Sequence, residues 1–214
     1  MGDWKTENWR GTAADFHEFV PPSGRAVWVV ELTEPALVLG STQSTDTIDA
    51  AGASRLGVTL ARRHSGGGAV WLHPDQSVWV DVTIPRDDPQ WVDDVPSSMN
   101  WLGDAIVRAL GDAQGARTHT ARYEATDLAR TVCFGGLAPG EVVAGGAKLV
   151  GISQRRTREG ARFQCVAYRT WTTEPWAEVI ADVTIREQVR SLEVAELAVG
   201  ADQFVSSLLR SLPH

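Results

Sequence analysis

The sequence predicts an α+β domain, a mixed, largely antiparallel sheet packed with helices. Apolar strand-like runs come as hairpins: Gly145-Gly146 separates Glu141–Ala144 from Ala147–Ser153, and Arg158-Glu159-Gly160 turns the chain into Ala161–Tyr168. Val78, Val80, Val82 and Ile84 alternate with Trp79, Asp81 and Thr83, the period-two pattern of a half-buried strand ending at Pro85. Leu102, Ile106 and Leu110 share one face of a helix running from Ser98 to Leu110, which Gly111 stops. Helices lie between groups of strands and at the end of the chain, a pattern that disfavours a doubly wound parallel sheet.

Taken in order, Met1 to Gly24 reads as a loosely organised lead-in whose Trp4, Trp9, Phe16 and Phe19 can fold back onto the core. Pro21-Pro22-Ser23-Gly24 breaks the chain before a strand at Ala26–Leu32, and a second apolar run, Ala36–Leu39, ends at Gly40-Ser41-Thr42-Gln43. Asp46–Leu56 reads as a helix capped by Ser44 or Thr45 and closed by Gly57. Gly57–Ala61 and Ala69–Leu72 read as strands flanking a Gly-rich turn, and helices near Trp176–Asp182 and Asp202–Leu212 finish the chain. No repeat appears, so the expected organisation is a lead-in, 1–24, and a single domain, 25–214, with no C-terminal accessory domain.

A chain of 214 residues can bury a core without covalent staples, and its two cysteines, Cys133 and Cys165, give no disulfide framework. With no secretory or membrane-spanning run, the expectation is a cytoplasmic protein. The net charge of −7 argues against general binding to nucleic acid or an anionic membrane, because phosphate polymers need a basic surface. Any anion site must therefore be local. The basic residues cluster at Arg62-Arg63 and at Arg155-Arg156-Thr157-Arg158, the second reading as a solvated hairpin tip.

The first cluster opens the run Arg62-Arg63-His64-Ser65-Gly66-Gly67-Gly68-Ala69-Val70. Three glycines let backbone N–H groups approach a ligand closely, and guanidinium groups neutralise phosphate or carboxylate. The run is neither a P-loop, lacking Gly-Lys-Ser/Thr, nor a dinucleotide fingerprint, since no helix opens after it.

Together with Leu39-Gly40-Ser41-Thr42-Gln43 and Gly146-Ala147-Lys148-Leu149-Val150-Gly151-Ile152-Ser153-Gln154-Arg155, this run resembles the lipoate–protein ligase and octanoyltransferase superfamily, which includes the biotin protein ligases. The resemblance covers about Ala36 to Tyr168. It implies that superfamily's α+β catalytic fold and an enzyme that attaches lipoate or octanoate to a lysine of a lipoyl carrier domain. It implies that Lys148 is catalytic, offsetting charge that develops on the acyl carbonyl. Substrate binding would fall to Arg62, Arg63, Ser65, Gly66, Gly67, Gly68, Ala69, Val70, Gly151 and Ser153. As a ligase the enzyme would use ATP and Mg²⁺, with no resident metal site, to activate lipoate.

Cys133-Phe134 resembles the Cys-Phe step of cysteine-dependent octanoyltransferases, which implies an alternative. An ATP-independent enzyme would take octanoate from its carrier protein onto Cys133 and would need no cofactor. A third reading is a non-catalytic protein that binds a lipoyl or acyl-nucleotide ligand. Two departures stand out. Where relatives carry a His-Asp pair after the Gly-rich turn, this chain has His73-Pro74-Asp75, and His73 reads as a loop residue. Where they carry Gln-His, it has Gln164-Cys165, with Cys165 read as core. On strict alternation Lys148, Val150 and Ile152 share one strand face and Leu149, Gly151 and Ser153 the other, and the sequence does not say which lines the pocket.

Overall fold

The computed structural model describes residues 4–214. Among the described residues, ten strands form two sheets, accompanied by seven α-helices. The larger contains β1 (Lys5–Gly11), β2 (Ala26–Leu32), β6 (Ser77–Pro85), β10 (Gly160–Tyr168), β9 (Ala147–Arg156), β8 (Val142–Ala144) and β7 (Arg117–Thr118), in that spatial order. Every pairing in it is antiparallel except β1 with β2. The smaller has β3 (Ala36–Leu39) between β4 (Thr59–Arg62) and β5 (Val70–Leu72).

Period-two alternation sorts side chains into three apolar layers. Val78, Val80, Val82 and Ile84 of β6 and Phe163, Cys165 and Ala167 of β10 pack with Leu102 and Ile106 of α3 (Asn100–Leu110) and Phe204 and Leu208 of α7 (Ala201–Ser211). Trp28, Trp79, Val166 and Tyr168 turn to the opposite face and meet Val38, Val70 and Leu72 of the small sheet. Leu37, Leu39 and Trp71 point away behind the small sheet, against Trp176 and Val179 of α5 (Glu174–Val179) and Ile185 and Val189 of α6 (Val183–Arg190). The order is thus helices, large sheet, small sheet, helices, and the layer between the sheets will hold the candidate site.

Four expectations need correction. The segment read as a lead-in is part of the fold: β1 pairs in register with all of β2, and α1 (Ala13–Glu18), capped by Thr12, buries Phe16 completely. Its polar residues had disguised it, because β1 is an edge strand whose side chains are half wet. Strand β6 is buried on both faces, Asp81 included, because the small sheet covers the side that alternation had assigned to water. The helix expected at Asp46–Leu56 is two pieces, a 3₁₀ turn at Thr45–Thr47 capped by Ser44 and then α2 (Ala50–Arg55) capped by Asp49. Between them Ile48 bridges to Ile180, a tertiary contact that interrupts the helix. Finally, α6 lies between the two terminal helices that had been read and adds a third.

The glycine hairpin forms as expected, with Gly145 and Gly146 at φ +59° and +93°. Trp4, just before β1, and Arg25, just before β2, meet the C-terminal segment: Trp4 Nε1 and Arg25 Nη1 donate to the carbonyl of Pro213.

Candidate active site

The Gly-rich turn between β4 and β5 is held from three sides. A Cβ on Gly40 would lie 1.9 Å from the carbonyl oxygen of Gly67, and one on Gly68 would lie 2.7 Å from Val132 N, so both positions need glycine for backbone to touch backbone. Gly67 has φ +100°, in the left-handed region. Arg63 is buried, and its Nη2 donates to the carbonyls of Gly66 and Gly68, both at 2.8 Å. Burial lowers the Arg63 pKa, while Cys133 and Glu141 oppose that shift. With the carbonyls drawn to Arg63, the amides of Gly66, Gly67 and Gly68 have no acceptor within the described chain.

Arg62 behaves differently. Its Nη1 donates to the carbonyls of Gly40 at 2.7 Å and Gln43 at 2.8 Å, so it braces the neighbouring loop and stands outside the cavities described next.

A cleft of about 710 Å³ is lined by Gly66, Gly67, Gly68, Cys133, Glu141, Lys148 and Ser153, among others. The triglycine turn and Lys148, distant in sequence, thus share one cavity. Lys148 is 4% exposed and its Nζ donates to Glu141 Oε1 and to the carbonyl of Cys133, each at 2.8 Å. Glu141, which sequence reasoning missed, is held by the amides of Ile152 at 3.2 Å and Ala138 at 2.7 Å. The only signal for it was a carboxylate at the start of a hairpin strand, seven residues before the lysine.

A second, narrow pocket of about 30 Å³ runs between the sheets. Its walls are apolar, with Val38, Val70, Leu72, Trp79, Phe134 and Val166, and it also touches Arg63, Gly151 and Ser153. Cys133 and Ser153 border both cavities and so mark their junction. Ser65 is buried there, its Oγ 2.9 Å from Ser153 Oγ and 3.2 Å from Gln164 Oε1. Ala69 is buried with its amide bonded to Thr131, so its part is to anchor the turn.

Strict alternation on β9 fails. A register irregularity opposite Val142/Val143 places Leu149 and Val150, adjacent in sequence, in the same core layer. Lys148 therefore turns to the side of Gly151: its Nζ lies 5.3 Å from the Phe134 ring centroid, and a Cβ on Gly151 would lie 3.3 Å from that ring.

Other residues singled out in the sequence are accounted for. His73 Nδ1 accepts from the amide of Asp75 within a turn. Cys165 is core. Arg156 stacks on Trp91 at 4.0 Å near the end of the β9–β10 hairpin. His17, by contrast, comes from the supposed lead-in, is buried, and lines the inner pocket.

The Lipoyl protein ligase A/B catalytic domain family model matches residues 7–212. The chain belongs to this family. Among solved structures, lipoate-protein ligase A bound with ATP superimposes with a TM-score of 0.72 at 18% identity, covering 98% of this chain and 84% of that one. A T. acidophilum protein assigned as a lipoate protein ligase, with bound lipoic acid, gives a TM-score of 0.72 at 17% identity, with coverage of 98% and 84%. A bipartite lipoate protein ligase with its E2 lipoyl domain from Thermoplasma acidophilum gives 0.70 at 18%, with coverage of 98% and 81%. At these identities the likeness is one of fold. No curated protein sequence matches the chain. Among the described residues, no helix is long and apolar enough to cross a membrane, and no three His, Cys, Asp or Glu side chains form a group able to hold a metal ion.

Proposed function

We propose that this family member is a lipoate–protein ligase-like enzyme that attaches lipoate, or the related octanoate, to a lysine of a lipoyl carrier domain. The observation that carries the reading is the junction at Cys133 and Ser153, where a cleft holding Lys148, Glu141 and unengaged glycine amides meets an apolar slot between the sheets. An activated fatty acid has that division: an anionic head and an apolar tail. Its head fits the amides of Gly66 to Gly68. The end of its tail reaches the slot lined by Val38, Val70 and Val166, where Gly151 keeps the wall free of a side chain. Arg63 serves indirectly, by fixing the turn, and Arg62 by bracing the loop beside it.

The reacting carbonyl then lies at the junction, beside the Lys148 ammonium. As the acceptor amine attacks, negative charge grows on the carbonyl oxygen, and a fixed cation in a partly dry site offsets it better than water does. Glu141 and the Cys133 carbonyl hold the ammonium in place. ATP would supply the activation of the carboxylate, and Mg²⁺ would accompany the triphosphate.

One observation favours a second reading: Cys133 stands at the junction itself, half-buried, beside Arg63. In that case its thiolate would take the acyl group from an octanoyl carrier protein and yield it to the acceptor lysine without ATP.

Intact-mass analysis of an apo lipoyl domain incubated with this protein, lipoate and Mg-ATP tests the proposal. A lipoyl mass increase with pyrophosphate release, retained in Cys133→Ser and lost in the paired variant Lys148→Met/Glu141→Met, is expected. Acyl transfer only from octanoyl carrier protein, with an adduct on Cys133, would establish the second reading instead. Modification of the carrier under neither condition overturns both.

A further inference from the structure

Two serine hydroxyls meet at the junction of cleft and slot, and only one of them has a proton free to turn to a ligand. Ser65 is 3% exposed and borders neither cavity, whereas Ser153 is half-buried and borders both. Their oxygens lie 2.9 Å apart, and Ser65 Oγ is also 3.2 Å from Gln164 Oε1. Which hydroxyl donates follows from the far end of this chain of bonds. Asp81 Oδ2 accepts from Arg162 Nε at 2.5 Å and Asp81 Oδ1 from Trp79 Nε1 at 2.6 Å, and both nitrogens are obligate donors. Gln164 Nε2 lies 3.4 Å from Asp81 Oδ2, an oxygen that already accepts, so the Gln164 amide turns its NH₂ to Asp81 and its oxygen to Ser65. An amide oxygen only accepts, so the Ser65 proton is committed to Gln164. Ser65 Oγ must then accept from Ser153, and no other group of the described chain holds the Ser153 proton.

We propose that Ser153 is a catalytic residue: its Oγ–H turns from Ser65 to the acyl carbonyl oxygen and is the second donor there, beside the Lys148 ammonium. The inference rests on the reading above that the reacting carbonyl lies at the junction, and it holds for an acyl-adenylate and for a thioester on Cys133 alike. The other polar side chains nearby are occupied: Arg63 donates to the carbonyls of Val38, Gly66 and Gly68, and the Gln164 NH₂ faces Asp81 and His17. When Ser153 turns, Ser65 Oγ loses an accepted bond but keeps the one it donates, so no buried donor is orphaned. An oxygen gaining negative charge is a stronger acceptor than a serine hydroxyl, so the new bond strengthens as the amine attacks. In that step the amine nitrogen bonds to the acyl carbon, and the bond from that carbon to the leaving phosphate oxygen, or to Cys133 Sγ, breaks. The amine proton passes to solvent in the open cleft. Ser153 keeps its own proton throughout, because the chain behind it ends in an amide, which takes up none.

The test compares the native protein with Ser153→Ala, using an apo lipoyl domain as acceptor and whichever donor the native protein accepts, lipoate with Mg-ATP or octanoyl carrier protein. Single-turnover transfer should slow about a hundredfold in Ser153→Ala, while KM for the donor changes by less than about threefold, the mark of a bond made in the transition state. A second readout does not depend on turnover. The infrared stretch of an isotope-labelled acyl carbonyl, bound as its sulfamoyl-adenosine analogue or on Cys133, should move to higher wavenumber when the Ser153 hydroxyl is removed. A merely structural role for Ser153 would leave that stretch where it is. A stretch unmoved in Ser153→Ala, or a transfer rate within about threefold of native, overturns the proposal. So does a stretch that responds to Ser65→Ala instead, since the two hydroxyls would then have exchanged roles. Native transfer with neither change in Ser153→Ala leaves the ligase or transferase reading standing and sinks this inference alone. A stretch that depends on Ser153 in a protein that never modifies the carrier sinks the transfer reading and leaves Ser153 as donor to the bound carbonyl. Failure to bind or transfer any acyl group sinks both.

Discussion

At the scale of single residues, the buried Lys148–Glu141 pair couples the candidate chemistry to stability. Removing one partner leaves an uncompensated buried charge, so Glu141→Leu should cost about 3–5 kcal/mol in urea denaturation, while adding Lys148→Met should recover most of the loss. Additive losses in the double variant would show that the two groups do not depend on each other. His17 makes a second prediction, with a definite sign. Its pKa is 6.5 when unfolded and about 3 when folded, so below pH 6.5 the unfolded chain takes up a proton that the folded one refuses. Stability should therefore fall as pH drops from 6.5 toward 3, by at most about 1.4 kcal/mol per pH unit from this group. His17→Phe should lose stability less steeply than the native protein across that window, as read by urea midpoints. Parallel curves would remove the assigned burial cost.

At the scale of elements, the Gly-rich turn is a packed object rather than a flexible tip. Gly40→Ala would drive a methyl group onto the Gly67 carbonyl, for which the 1.9 Å spacing leaves no room. The cost should be about 1–3 kcal/mol, since backbone must shift, and ligand binding in the cleft should weaken with it. Gly66→Ala, where an added Cβ meets nothing within 4 Å, is the control and should leave stability nearly unchanged. Equal effects at both positions would mean that the close approach of the two loops is unimportant. Part of this element was legible in the chain, because three consecutive glycines pinned between strand-like flanks mark a turn whose backbone can approach a ligand. That Arg62 and Arg63 part company was not, since adjacent strand residues leave on opposite faces and only the placement of the neighbouring loop decides what each meets.

At the scale of the whole molecule, the first 24 residues make the sharpest comparison. Phe16 is fully buried against Trp9, Phe19 and Trp79, whereas Val20 is 73% exposed. Phe16→Ala should cost about 3–5 kcal/mol, and Val20→Ala should lie within about 0.5 kcal/mol of the native protein. Near-neutrality of both would restore the picture of a dispensable lead-in. Strand β1 escaped notice because an edge strand carries a weak apolar signal, and α6 because only part of a short helix faces the core.

By itself the sequence determined the hairpins, the central strands, the α+β class and the family motifs, because turn chemistry and apolar periodicity are local properties of the chain. Tertiary structure alone decided that β6 is buried on both faces, that Lys148 crosses to the Gly151 side, and that Glu141 and His17 join the site. Each of these depends on which sheet or loop lies opposite and on a shift in strand register, and no periodicity along one strand encodes its neighbour.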